Sequence, residues 1–144
     1  PKEPKKPEEY CPWVCDKCGS PIQKLDWGIV QWSSKYNPKE NIFIACHDSL
    51  KILHHNRYHI QSLGNKDTSC YPKEEEGSHA SWLDLRDVLT PKVLMGAIIR
   101  GIEDGSIVQE EGLTMIKRLY IPGYEEARKK IYDLKSEWEE LGLK

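Results

Sequence analysis

Cys15-Asp16-Lys17-Cys18-Gly19 is the stretch of this 144-residue chain whose residue types and spacing could do chemistry. Two thiolates two residues apart can face one point, because the turn between them curls backbone N–H groups toward the sulfurs. Gly19 supplies the positive φ that such a turn often needs. With a later His and Cys70, the pair makes up the four-ligand sulfur and nitrogen set of a structural zinc site. His54 and His55 are the candidate imidazoles. Strand side chains alternate, so the two point to opposite faces and only one can reach the metal. Cys11 is a spare thiol that could substitute as a ligand, Cys46-His47 fits a strand end, and His47 and His59 stay open as further ligands.

Cysteine usage sets the compartment. Five cysteines are an odd number, and two of them form a Cys-x2-Cys, so a reduced cytoplasmic protein with thiolate ligands fits better than a secreted disulfide framework. A redox dithiol is disfavoured, since that motif opens a helix after a buried strand and here it follows a proline-rich arm. The chain is 38% hydrophobic and 31% charged, as in a soluble globular protein. No apolar run approaches the ~20 residues of a membrane span, and no signal-peptide segment opens the sequence. A net charge of −2 removes the electrostatic footprint of a nonspecific nucleic-acid binder.

The elements that must position these ligands fall in three parts. Residues 1–10 (PKEPKKPEEY) are prolines among charges and predict a flexible arm. Residues 11–80 hold every cysteine and histidine and have period two: Trp27 to Trp32, Ile42 to Cys46, and Lys51 to His55 predict strands. The third of these could continue the second past a turn at Asp48-Ser49. Residues 81–144 have period 3.6. Ser81 with Asp84 is a capping pattern ahead of Trp82, Leu85, Val88 and Leu89. Thr90-Pro91 starts a helix with Leu94, Ile98 and Ile102 that Gly105 ends. Ser106 with Gln109 caps another, with Leu113, Ile116 and Leu119 on one face, stopped at Pro122-Gly123. A last helix sets Tyr124, Ile131, Leu134 and Trp138 along a heptad seam, a candidate partner-binding face.

Two other activities compete. His54, His55, His59, Asn65 and His79 invite comparison with a ββα-metal (HNH) nuclease, in which a His activates water and a divalent ion stabilises the leaving oxygen. The spacing is off, because a polar loop replaces the expected hairpin and helix. The helices around Ile121-Pro122-Gly123 outline a helix-turn-helix DNA-binding regulator. That recognition helix would begin Tyr124-Glu125-Glu126, and two carboxylates repel phosphate.

As a whole the chain resembles a group of uncharacterised bacterial and phage zinc-ribbon proteins. The resemblance rests on Cys15-Asp16-Lys17-Cys18-Gly19, Trp32, Ile52-Leu53-His54-His55, Cys70 and Pro122-Gly123-Tyr124-Glu125-Glu126-Ala127-Arg128. It implies a zinc module fused to helices and brings no activity with it. The expectation is an α+β fold, a small antiparallel zinc-ribbon-like sheet packed against three to four C-terminal helices. Zn²⁺ would be structural, and function would lie in a non-enzymatic protein-interaction role, as an adaptor, an inhibitor or a homodimer.

Overall fold

Ile29, Val30 and Trp32 are β-branched and aromatic residues that favour a strand, and the computed structural model of the chain places β1 at Gly28–Asn37, continuing past the expected run through Ser33, Ser34 and Tyr36. The structure describes residues 11–55, 70, 77–128 and 130. A 3₁₀ turn, Leu25–Trp27, leads into β1. Pro38 cannot continue the ladder. The Asn37 side chain accepts the Lys39 N–H at 3.0 Å, and Asn41 takes φ 54°, so the chain reverses into β2, Ile42–Ala45. β3 is Lys51–His54 and β4 is Ser78–Asp84.

All three pair antiparallel with β1. β2 takes its far half (Asn37↔Ile42 to Ser34↔Ala45), and β3 takes its near half on the same edge (Gln31↔Lys51 to Gly28↔His54). β4 runs along the opposite edge, from Ile29↔Asp84 to Lys35↔Ser78. β2 and β3 are thus one strand line interrupted by a turn, the continuation past Asp48-Ser49 that the sequence suggested. Asp48 adopts φ 60° there, and the Ser49 hydroxyl fills the gap in the ladder. It accepts the Ser33 N–H at 3.1 Å and donates to the Cys46 carbonyl at 2.7 Å.

The mixed α+β class is as expected, but the sheet has a fourth strand where a helix start was read. Ser81, Trp82 and Asp84 belong to β4, so the 80/81 boundary between a β module and a helical region falls inside a strand. Ser-x-x-Asp is a local signal, and pairing along seven positions of β1 overrides it.

Helices follow from Leu85. α1 is Leu85–Val88. α2 begins at Thr90-Pro91 with Pro in the first turn; it runs as Pro91–Val93, widens into a π-helical stretch Leu94–Ile99 and finishes as Arg100–Asp104. Gly105 closes it at φ 84°. α3 is Gln109–Tyr120. Its start differs from the expected cap: Val108 is the N-cap residue and carries no capping bond, while the Ser106 N–H goes back to Asp104. Of the expected face Leu119 is buried and Ile116 partly so, but Leu113 is exposed, while Gly112, Met115 and Arg118 are buried. Ile121 to Gly123 ends α3, and residues 124–128 are again helical. Ile29, Val30, Ile52, Leu53, Leu85, Val88, Ile98 and Met115 form the fully buried core.

Two glycines let α2 pack closely against α3 and against Ile107 in the connection between them. A Cβ at Gly112 would lie 2.5 Å from Ile102, and one at Gly101 would lie 2.5 Å from Ile107. Helix propensity alone favours replacing glycine by a better helix former. Here the overpacking dominates, and we expect Gly112→Val to destabilise the fold by roughly 1–3 kcal/mol in urea unfolding; an unchanged midpoint would refute the close approach.

Candidate metal centre

The Cys15–Cys18 turn is built as a small hairpin. Val14 bridges Pro21, the Ile22 N–H bonds the Trp13 carbonyl at 3.0 Å, and the Cys15 N–H bonds the Ser20 carbonyl at 3.0 Å. The Gly19 N–H closes onto the Cys15 carbonyl at 2.9 Å, with Gly19 at φ 74°. This hairpin docks on β3 through Asp16. Its N–H donates to the Ile52 carbonyl at 2.8 Å, and its carboxylate accepts the Ile52 N–H at 2.8 Å. His54 lies two residues along β3, hence on the same side as Ile52.

Cys15, Cys18, His54 and Cys70 therefore converge, with their ligand atoms all within 4.8 Å of one another. Nδ1 of His54 lies 3.3 Å from Cys18 Sγ and 3.9 Å from Cys70 Sγ. For tetrahedral bonds of ~2.3 Å to sulfur and ~2.0 Å to nitrogen, ligand atoms sit about 3.6 Å apart. The observed separations bracket that value, so the four residues fit one metal ion. Nε2 of His54 faces the Pro21 carbonyl at 3.2 Å, so with Nδ1 on a metal Nε2 would carry the proton and donate it there. Such an outer partner fixes both the tautomer and the ring orientation.

Electrostatics agree with a cationic occupant. Burial and the neighbouring Cys15 and Cys18 push the Cys70 thiol well above its ordinary value. At Cys18 burial acts the same way, but the Ser20 backbone and the Cys15, Ser20 and Cys70 side chains outweigh it and lower the thiol. Three crowded sulfurs cannot all ionise alone, whereas a bound dication deprotonates coordinating thiols outright.

Of the five residues read as ligands, the structure brings together four. His55 turns away: its N–H bonds the Trp27 carbonyl at 2.7 Å and its ring meets Trp82 edge-on at 5.8 Å. Strand alternation had left that choice open, and the docking of Asp16 on Ile52 decides it. Cys11 donates to the Ile22 carbonyl at 2.9 Å, and Cys46 ends β2 with its N–H on the Ser33 carbonyl. His47 is exposed in the following turn. His59 and Asn65 lie outside the described residues. His79 pairs with Ser34, six positions along β1 from the Gly28 that faces His54. At ~3.4 Å per residue that is about 20 Å, so these two histidines do not share a site.

Sequence reasoning missed the residues that support the centre. Arg118, 4% exposed, reaches Asp16 with Nη1 at 2.8 Å and Nη2 at 3.0 Å. The same guanidinium holds Glu125 at 2.7 Å from Nη2 and 3.0 Å from Nε. Burial would lower the Arg118 pKa, but the bonds to Glu125 and Asp16 reverse this and raise it. Trp13 donates its indole N–H to the Arg118 carbonyl at 3.0 Å. The available signal was phase: Arg118 stands three residues from Met115, inside the stripe that Met115 and Leu119 define.

A scan of protein-family models and searches of curated proteins and solved structures find no match to this chain.

Two outcomes follow from this geometry. His54→Ala should remove tightly held metal while His55→Ala keeps it, as read by metal content per chain. Arg118→Met leaves two carboxylates without their cation and should cost roughly 3–5 kcal/mol in unfolding free energy; a neutral result would show the triad to be incidental.

Proposed function

We propose that the chain is a zinc-stabilised, non-enzymatic protein-interaction protein of the adaptor or inhibitor type. The observation that carries this is the donor set, three thiols and one imidazole within 4.8 Å. Sulfur-rich tetrahedral sets select zinc among the common divalent ions. Four protein ligands leave no open position for water or substrate, which is the mark of structural rather than catalytic zinc. When bound, the ion would cross-link the hairpin, β3 and Cys70, and supply folding free energy of ~10 kcal/mol or more on the scale of finger peptides.

Function would then reside on surfaces. At the far end of the sheet Tyr36, Ile42, Phe43 and Ile44 are about half exposed, with Ile44 at 51%. Large side chains grouped this way favour contact with another protein or a second copy of this chain. Tyr124 is half-buried; Ile131, Leu134 and Trp138, the rest of the expected partner face, lie outside the described residues. Among the described residues no helix is long and apolar enough to cross a membrane. Thiolate ligation is consistent with a reducing cytoplasm. We read the chain as a relative of the zinc-ribbon proteins of bacteria and phages on the sequence motifs alone.

Purified protein should hold about one zinc per chain, lose it in Cys18→Ser, and leave plasmid DNA intact with Mg²⁺ or Mn²⁺ added. Sedimentation of the zinc-loaded chain should show self-association, or a complex with a co-purified protein, that Phe43→Ser weakens without loss of metal. Plasmid nicking that disappears in His55→Ala, with metal and fold retained, would overturn this reading in favour of the nuclease.

A further inference from the structure

The far end of the sheet carries a second feature, independent of the metal. A groove of about 490 Å³ opens between the sheet and the end of α2, within the size range of small-molecule sites. Trp32 and Ser34 sit two apart on β1 and so share a face; Ser81 and His79 stand directly opposite them on β4. Phe43 closes one wall, and Asp104 comes in from the end of α2.

Two of these side chains are in an unusual state. Trp32 is 9% exposed and Ser34 is 5% exposed, both line the groove, and neither the indole N–H nor the hydroxyl has a hydrogen-bonding partner among the described residues. Buried polar groups in folded proteins are nearly always satisfied, and an exception calls for a ligand or water to complete it. Here two exceptions lie side by side on one strand and face one groove.

We propose that this groove binds a flat, uncharged heteroaromatic molecule carrying both an acceptor and an amino donor, a carboxamide or an aminopyrimidine. An indole nitrogen only donates, so Trp32 and Ser34 together call for a carbonyl or ring-nitrogen acceptor. A carboxylate only accepts, so Asp104 calls for the amino group; one of its oxygens already takes the Ser106 N–H at 2.9 Å. Phe43 offers an apolar wall to a ring. Among the described residues no Lys or Arg lines the groove, so an anionic ligand would bury its charge without a partner there.

The test uses the zinc-loaded full chain labelled with ¹⁵N. The Trp32 indole resonance is assigned by its loss in Trp32→Phe. Nicotinamide and cytosine are titrated in, with nicotinate as the size-matched anion. The proposal expects a saturable shift of the Trp32 indole peak with nicotinamide or cytosine. Nicotinate should bind about tenfold more weakly or not at all, and Ser34→Ala should weaken binding by about tenfold, the scale of one lost hydrogen bond. Should Ser34→Ala fail to fold, Asp104→Asn on the exposed wall must produce the weakening instead. A Trp32 resonance unmoved by millimolar nicotinamide and cytosine, or equal affinity for nicotinate, would overturn the proposal.

Discussion

Asp16 lies between two ligand cysteines, so the hairpin turn fixes its backbone while its carboxylate serves the Ile52 N–H and the Arg118 guanidinium. Through Ile52 it sets where β3, and hence His54, stands relative to Cys15 and Cys18. Through Arg118 it ties the cysteine-bearing hairpin to α3, and Arg118 in turn holds Glu125 and the helical residues 124–128. One cation between two carboxylates is costly to desolvate, and such clusters contribute little net stability when compared with a packed apolar core. Their value is directional. A bidentate guanidinium accepts few alternative geometries, so the triad fixes the angle at which helix and hairpin meet. Arg128, 3.7 Å from Glu125 and partly exposed, offsets the second negative charge.

The four candidate ligands come from three places in the chain, with a sequence separation of 36 between Cys18 and His54 and of 16 between His54 and Cys70. Closing loops of that length by a few contacts alone carries an entropic cost that grows only slowly with length. One ion held by all three segments would restrict the unfolded ensemble in the same way as a disulfide. The hydrogen-bonded hairpin and the β1–β3 ladder bring two of the three segments together, and Cys70 joins them from the third.

Much of this layout was legible. The Cys-x2-Cys-Gly spacing, the three apolar runs of period two and the Thr-Pro and Gly punctuation of α2 all act locally, and local signals survive into the fold. The misses come from long-range competition. Ser81 and Asp84 fit a helix cap in isolation, yet a seven-residue register with β1 satisfies more backbone groups. Leu119 is buried as expected, but Leu113 is exposed and Met115 takes the inward place, with the close approach at Gly112 on that same side of α3. The choice of His54 over His55 was undecidable from alternation alone. It needed the sign of the strand face, which only the docking of Asp16 supplies. Arg118 was overlooked because a charged residue in a core stripe is ordinarily assigned to solvent; burial of arginine signals a partner that sequence spacing does not name.

β1 has one edge divided between two partners, with a serine hydroxyl at the junction. Near its start the strand is flanked by a ligand-bearing neighbour, whereas beyond Ser33 it is held by β2, whose outward side chains are solvated, and by β4. Cooperativity along such a strand is uneven. Amide protons of Ile29 and Val30 should report the global unfolding event, while those of Lys35 to Asn37 can exchange through local fraying that leaves the ion in place. The molecule is thereby anchored at one pole and compliant at the other, and the compliant pole is where its apolar surface meets the solvent.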